Sequence, residues 1–273
     1  MKLLRAFILI SVVLGLASRS GAQEVFGTGS RFQSLADASC GLSGHWSVFG
    51  NQAGLASIKH PALAGSFQNR FLVNELSSRT GLWVFPVQSN VFAVSYAQFG
   101  KIPFRQEKLG IAYARNVGSK LRFGVQFNRY GLYLPEENQS ENTYGLEIGV
   151  QYVPTGKFTL GLHVTNPYQT GIKLSSETYR YDSKIGIGTF YQVSEAFGWV
   201  TELDNYWDDR FVLKSGFEFE LLDKVVVRAG VAGKPYQLSA GFGFRVRKAV
   251  FDLGTSYHPY LGNSPSVSFQ YQF

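Results

Sequence analysis

Side chains able to do chemistry are few in this 273-residue chain, and their spacing suits no reaction. The four histidines are His45, His60, His163 and His258. None stands in the His-x-x-x-His spacing that puts two imidazoles on one metal. Glu218 and Glu220 share a face of an alternating stretch. Paired carboxylates can do acid–base work, but only around a substrate pocket. Serine is abundant, yet no motif sets one beside a base, as nucleophilic catalysis requires. Cys40 is alone, so no intrachain disulfide can form, and it reads as a small buried hydrophobe. The glycines recur at strand spacing and not as a phosphate-cradling loop before a helix. No catalytic set, metal site or cofactor is expected, and the reading is non-enzymatic.

The elements around these residues are strands. Composition is 45% apolar and 15% aromatic, with 30 Gly, one Met and one Cys. That favours an all-β domain rich in turns. The last stretch, Pro265 to Phe273, alternates Val267, Phe269, Tyr271 and Phe273 with Ser266, Ser268, Gln270 and Gln272. A strict period of two implies one apolar and one wet face. Phe269, Tyr271 and Phe273 together resemble the C-terminal insertion signal of bacterial outer-membrane barrels. An edge strand of a soluble β-sandwich is the alternative for this stretch alone.

Residues 1–22 read as a signal peptide. Lys2 and Arg5 form the basic region, Ala6 to Ala17 the apolar run, and Ser20-Gly21-Ala22 the cleavage site. Cleavage after Ala22 would remove Lys2, Arg5 and Arg19 and lower the formal charge of +7 by three. No basic run is interleaved with aromatics, so nucleic acid is not an expected partner. Past residue 22 no apolar run is long enough for a spanning helix, so a place in the membrane requires a closed barrel.

Residues 23–62 do not alternate. Ser34, Ala36, Ala38, Ser39, Cys40 and Gly41 are small, and His45 to Ala56 reads as a short helix and a compact turn. Such a segment can fold into a barrel lumen as a plug. Its motif is Gly29-x-Arg31, then Trp46-x-Val48-Phe49-x-Asn51-x-Ala53-Gly54-Leu55-Ala56. This resembles the N-terminal segment of the PorV/PorQ-like branch of the FadL outer-membrane family in Bacteroidota. That family usually reads Asn-Pro-Ala-Gly-Leu, and here Gln52 replaces the proline. The resemblance marks Arg31, Trp46, Phe49, Asn51, Ala53 and Gly54 as plug residues.

From residue 63 to 273 the pattern is that of about 14 antiparallel strands closing a transmembrane β-barrel. They are read at 64–76, 79–86, 89–99, 107–116, 120–130, 144–152, 158–164, 184–193, 197–205, 211–221, 224–233, 236–246, 249–258 and 265–273. Alternate connections are very short, as at Val87-Gln88 and Arg247-Lys248. The others are longer, up to Leu132–Thr143 and Asn166–Ser183. A soluble sandwich has no reason to sort its loops by parity, whereas an outer-membrane barrel does. Trp83, Phe99, Tyr130, Tyr133, Tyr152, Tyr168, Trp199, Tyr206, Trp207, Tyr257 and Tyr260 fit interfacial girdles.

The inward face is rich in glycine, which leaves room for a packed plug. Arg122, Lys214, Arg228 and Arg245 face Glu147, Glu202, Asp204, Glu218, Glu220 and Asp252, a set expected to form structural ion pairs. Few inward residues are apolar: Phe190, Val200 and Val226. The resemblance implies an accessory subunit of an outer-membrane machine, type IX secretion above all. Its partners would be outer-membrane lipid and another outer-membrane or periplasmic protein. The alternative is a FadL-like channel for hydrophobic small molecules. It needs an apolar lumen or a broken wall, and neither is evident in the pattern.

Overall fold

The computed structural model describes residues 26–101, 104–134, 139–174, 178–233 and 236–273. The expected signal peptide lies outside them. The strands in chain order are β1 (Ala62–Asn69), β2 (Ser77–Val87), β3 (Asn90–Lys101), β4 (Phe104–Val117), β5 (Leu121–Leu134), β6 (Gln139–Thr155), β7 (Phe158–Thr165), β8 (Gly171–Lys173), β9 (Thr178–Arg180), β10 (Lys184–Gln192), β11 (Phe197–Tyr206), β12 (Phe211–Leu222), β13 (Val225–Ala232), β14 (Gln237–Val246), β15 (Ala249–His258) and β16 (Gly262–Gln272). All but β8 and β9 form one closed antiparallel barrel, so it has the 14 strands the alternation predicts. β16 closes it against β1, with Phe269 opposite Gly65 and Tyr271 opposite Leu63.

The barrel's outer face is apolar. Ile111, Phe127, Leu253, Phe269, Tyr271 and Phe273 all stand exposed on it. An apolar belt around a closed sheet belongs in hydrocarbon, with every ladder hydrogen bond made within the wall. The fold is therefore a transmembrane barrel. No helix of the described residues is long and apolar enough to cross a membrane.

Three expectations are corrected. Residues 70–76 do not extend the first strand. They form two 3-10 turns, Arg70–Leu72 and Asn74–Leu76, because Phe71 and Leu72 take positive φ of 56° and 59°. The stretch from Leu132 to Thr143 is not all loop, since β5 and β6 pair out to Leu134 opposite Gln139. Among the expected girdle aromatics, Phe99, Tyr130 and Tyr206 are buried, because their parity turns them into the lumen. Trp83, Tyr152, Tyr168, Trp199, Trp207, Tyr257 and Tyr260 are exposed.

Candidate functional site

Residues 26–61 lie inside the barrel and follow its wall, in contrast to a central cork. Helix α1 is a single turn (Ser30–Ser34), and two 3-10 turns follow at His45–Phe49 and Gln52–Ser57. Each is too short to be stable alone, so wall contacts must hold them. Phe32, Leu35, Leu42, Trp46, Val48, Phe49 and Leu55 form one buried cluster, with Trp46 and Phe49 rings 6.2 Å apart.

Apart from Gly27, which bonds Ser78 on β2, and the interleaved contacts of Arg31 and Gln33, the plug meets the strands in reverse chain order. Ser30 accepts from Ser266 on β16 at 2.8 Å, and Gln33 Nε2 donates to the Ser264 carbonyl at 2.7 Å. Arg31 pairs with Glu218 on β12 through two bonds of 2.9 and 3.2 Å. The backbone N–H groups of Ser39 and Cys40 both donate to Glu202 on β11, at 2.7 and 2.6 Å. Asn51 Nδ2 reaches the carbonyls of Val150 on β6 and Leu162 on β7 at 3.1 and 3.2 Å. Gln52 Nε2 donates to Glu147 on β6 at 2.7 Å. Asn116 on β4 ends the series, donating to the Ala56 carbonyl at 3.0 Å.

Three wall glutamates thus latch the plug, and each is neutralised by a cation. Glu147 binds Lys108 at 2.6 Å and lies 3.2 Å from His163 Nε2. Glu202 binds Lys214 at 3.1 Å, and Lys214 also reaches Asp204, which Lys184 holds at 3.1 Å. Glu218 binds Arg228 at 3.2 Å, and Arg228 reaches Asp252 at 2.7 Å. Charges this well enclosed persist only when paired. The expected inward ion pairs therefore form for Lys214, Arg228 and Arg245 but not for Arg122, which bonds neutral groups, and those to Glu202 and Glu218 also fasten the plug. Arg245 and Glu220 pair at 3.3 Å on the exposed rim, apart from the latches. Glu218 and Glu220 do not act as a carboxylate pair, since each has its own arginine. Arg122 bonds Ser43 at 2.9 Å.

Glycine allows the close approach. Cross-strand pairs Gly241–Gly254, Gly216–Gly230, Gly188–Gly161 and Gly149–Gly124 lie along the plug's route. A Cβ on Gly161 would overlap the Cys40 carbonyl, and one on Gly149 would overlap the Asn51 side chain. The plug substitution at Gln52 also has a structural use: proline would lack the amide that reaches Glu147. Asn51 Oδ1 caps the following turn by accepting the Ala53 N–H at 3.1 Å. Ala53 and Gly54 are buried beside it.

The inward face of β2–β4 differs from this polar wall. Leu82, Val84, Val91, Ala93, Ala97, Ala112 and Ala114 are all buried and apolar. This corrects the expected scarcity of inward apolar residues, although Val200 and Val226 are indeed buried. Val91-Phe92-Ala93-Val94 is apolar on both parities, and that loss of alternation was the available sign of a two-sided apolar strand. Toward the long-loop mouth the surface continues into Phe99, Tyr130, Leu132, Ile172 and Tyr181, within one cluster. The β8–β9 hairpin folds into that mouth. Tyr181 stacks on Tyr130 at 4.3 Å, and Gln106 donates to the Tyr179 hydroxyl at 2.7 Å. Asn166 braces the hairpin by donating to the Tyr181 carbonyl at 3.2 Å.

No sequence signal marked this hairpin as a lid. At the other mouth the plug's exit leaves a recess of about 630 Å³. Among the described residues no group of three or more His, Cys, Asp or Glu is placed to hold a metal.

No family model and no curated protein matches the sequence. Solved structures do match in fold. The toluene transporter TodX of P. putida aligns with a TM-score of 0.72 at 10% identity, over 92% of this chain and 99% of its own. The monoaromatic hydrocarbon channel CymD aligns at 0.70 and 13%, over 90% and 98%. A Pseudomonas aeruginosa FadL homologue aligns at 0.68 and 13%, over 94% and 100%. The plugged 14-strand barrel described above has the fold of the FadL-type outer-membrane barrels.

Proposed function

We propose that the chain is an outer-membrane channel of a Gram-negative bacterium that passes small hydrophobic molecules, with residues 26–61 as its gate. The carrying observation is the apolar side of the lumen on β2–β4, joined to the aromatic lid at the long-loop mouth. Ligand sites for apolar solutes are lined this way, with a few fixed polar groups at their edge. Here Gln106 and Lys108 on β4 stand beside that surface. The likeness in fold to channels described for toluene and monoaromatic hydrocarbons supports the reading.

A second reading is an accessory subunit of an outer-membrane machine, such as type IX secretion, bound to another membrane or periplasmic protein. Its support is the wall. β2, β3 and β4 pair in register along their whole length, and the register shifts among the described strands lie at the short-turn ends, near Tyr152–Thr155 and Glu220–Leu222. Cells with and without the protein should be compared for uptake of labelled ethylbenzene. Uptake several-fold faster with the barrel supports the channel. Equal uptake, with a secretion component co-purifying in mild detergent, would overturn it in favour of the accessory role.

A further inference from the structure

The recess at the short-turn mouth lies between the end of the plug and the ends of β3, β4 and β5. It is lined by Ile58 and Lys59 of the plug, Val91 of β3, Arg115 and Asn116 of β4, and Arg122 of β5. Three cations line it: Lys59 and Arg122, and Arg115 from the exposed end of β4. Among the described residues no carboxylate lines the recess or pairs with any of the three. Arg122 is already oriented, because its Nη1 donates to Ser43 Oγ at 2.9 Å and to Gln151 Oε1 at 3.4 Å. Both acceptors are neutral, so its charge is not cancelled.

The rim around the recess has the same sign. Lys120 and Lys157 are exposed on the nearby short turns, whereas Lys224, Arg247 and Lys248 stand with Glu195 and Asp223 on turns farther round the mouth. The latches inside the barrel pair their cations with carboxylates, so the unpaired set at this mouth is a local exception. Like charges gathered in a concave site cost free energy unless an anion joins them.

From this we infer that the recess binds the phosphate of an organic phosphate, its apolar part resting on Ile58 and Val91. A carboxylate would leave two of the three charges uncancelled. A phosphate monoester carries about −1.5 to −2 at pH 7 and offers three acceptor oxygens to arginine forks. At about 630 Å³ the recess exceeds one phosphate and suits a ligand with a body attached. The phosphate can come from a soluble monoester at the mouth or from a phospholipid headgroup of the surrounding leaflet. The inference holds whether or not anything passes through the lumen.

The test uses the full chain, delipidated in a maltoside detergent. Calorimetry would compare phenyl phosphate with benzoate, and native mass spectrometry would follow bound phosphatidylglycerol. The variant is R115Q/R122Q, with Lys59→Gln as a milder second and gel heat-modifiability as the folding check. We expect phenyl phosphate to bind about tenfold more tightly than benzoate, to be displaced by inorganic phosphate, and to weaken about tenfold in the double variant. Phosphatidylglycerol alone binding, and lost in the variants, assigns the phosphate to lipid and supports the site. No binding of either, equal affinity for benzoate, or unchanged affinity in the folded variants overturns it.

Discussion

The two sides of this lumen hold the same plug by different means. Along β5–β16, glutamates and serines fix it through hydrogen bonds at set positions, and glycines let it come close. Along β2–β4, alanines, valines and a leucine meet it mainly by apolar contact, with Gly27 N–H to Ser78 Oγ and Asn116 to Ala56 at the margins. Hydrogen bonds to charged groups are directional, and losing a partner is costly. Apolar contact is non-directional and tolerates sliding. The polar wall therefore determines where the plug sits, and the apolar wall is where it can yield.

That contrast can be broken most forcefully by adding bulk on the polar side. Gly161→Val should displace residues 39–51 from the wall, because the added carbons occupy the place of the Cys40 carbonyl. Single-channel conductance should rise and protease should cut residues 26–57. Wild-type conductance and protection would contradict the close-approach account. Trp46→Ala should come next, costing about 3–5 kcal/mol of plug packing. Urea titration of plug protection would measure it, with Phe49→Ala as a parallel case.

Glu218→Gln should weaken one latch by about 1.5–3 kcal/mol, less than the loss of Trp46, since Arg31 and Arg228 keep one neutral acceptor. A larger effect than Trp46→Ala would mean that polar fixings, and not packing, dominate. The matched change on the apolar side, Ala97→Val, should cost about 1–3 kcal/mol of overpacking and leave conductance low.

The smallest expected effect is with pH. His45 is buried, and its Nε2–H donates to the His60 carbonyl at 3.1 Å. Burial holds its pKa below the usual value. The unfolded plug then binds a proton more readily, and stability falls as pH drops below about 6.5. Hydrogen exchange of residues 45–57 at pH 7.5 and pH 5 would show the loss, and His45→Gln should abolish the difference.

Much of the barrel was legible because its period of two repeats strand after strand, as in Leu121 to Phe127 of β5. The lumen-side glycines also announced a close neighbour. The latches were only half legible. Arg31, Glu202 and Glu218 were visible as inward or plug residues, but a period of two carries no information on which plug atom meets which glutamate. The apolar wall was missed because Ala93, Ala97, Ala112 and Ala114 are too small to stand out in an alternating strand. The β8–β9 lid was missed for a related reason: its hold on the mouth rests on Tyr181, Tyr130 and Gln106, which are distant in sequence and joined only by the closed barrel.

The reversed route of the plug bears on how the protein assembles. Counting outward from Ala56, partners lie 60, 95, 111, 162, 187, 231 and 236 residues away. Each contact encloses the one before it except Gln33–Ser264, which crosses Arg31–Glu218, so the chain can zip largely from the inside outward. Doubling a loop adds only about 0.6 kcal/mol of closure entropy. The N-terminal segment can dock against each new hairpin as that hairpin joins the sheet. It makes its last bonds, to Ser264 and Ser266, only when β16 is in place. The completed plug thus reports that the barrel is closed.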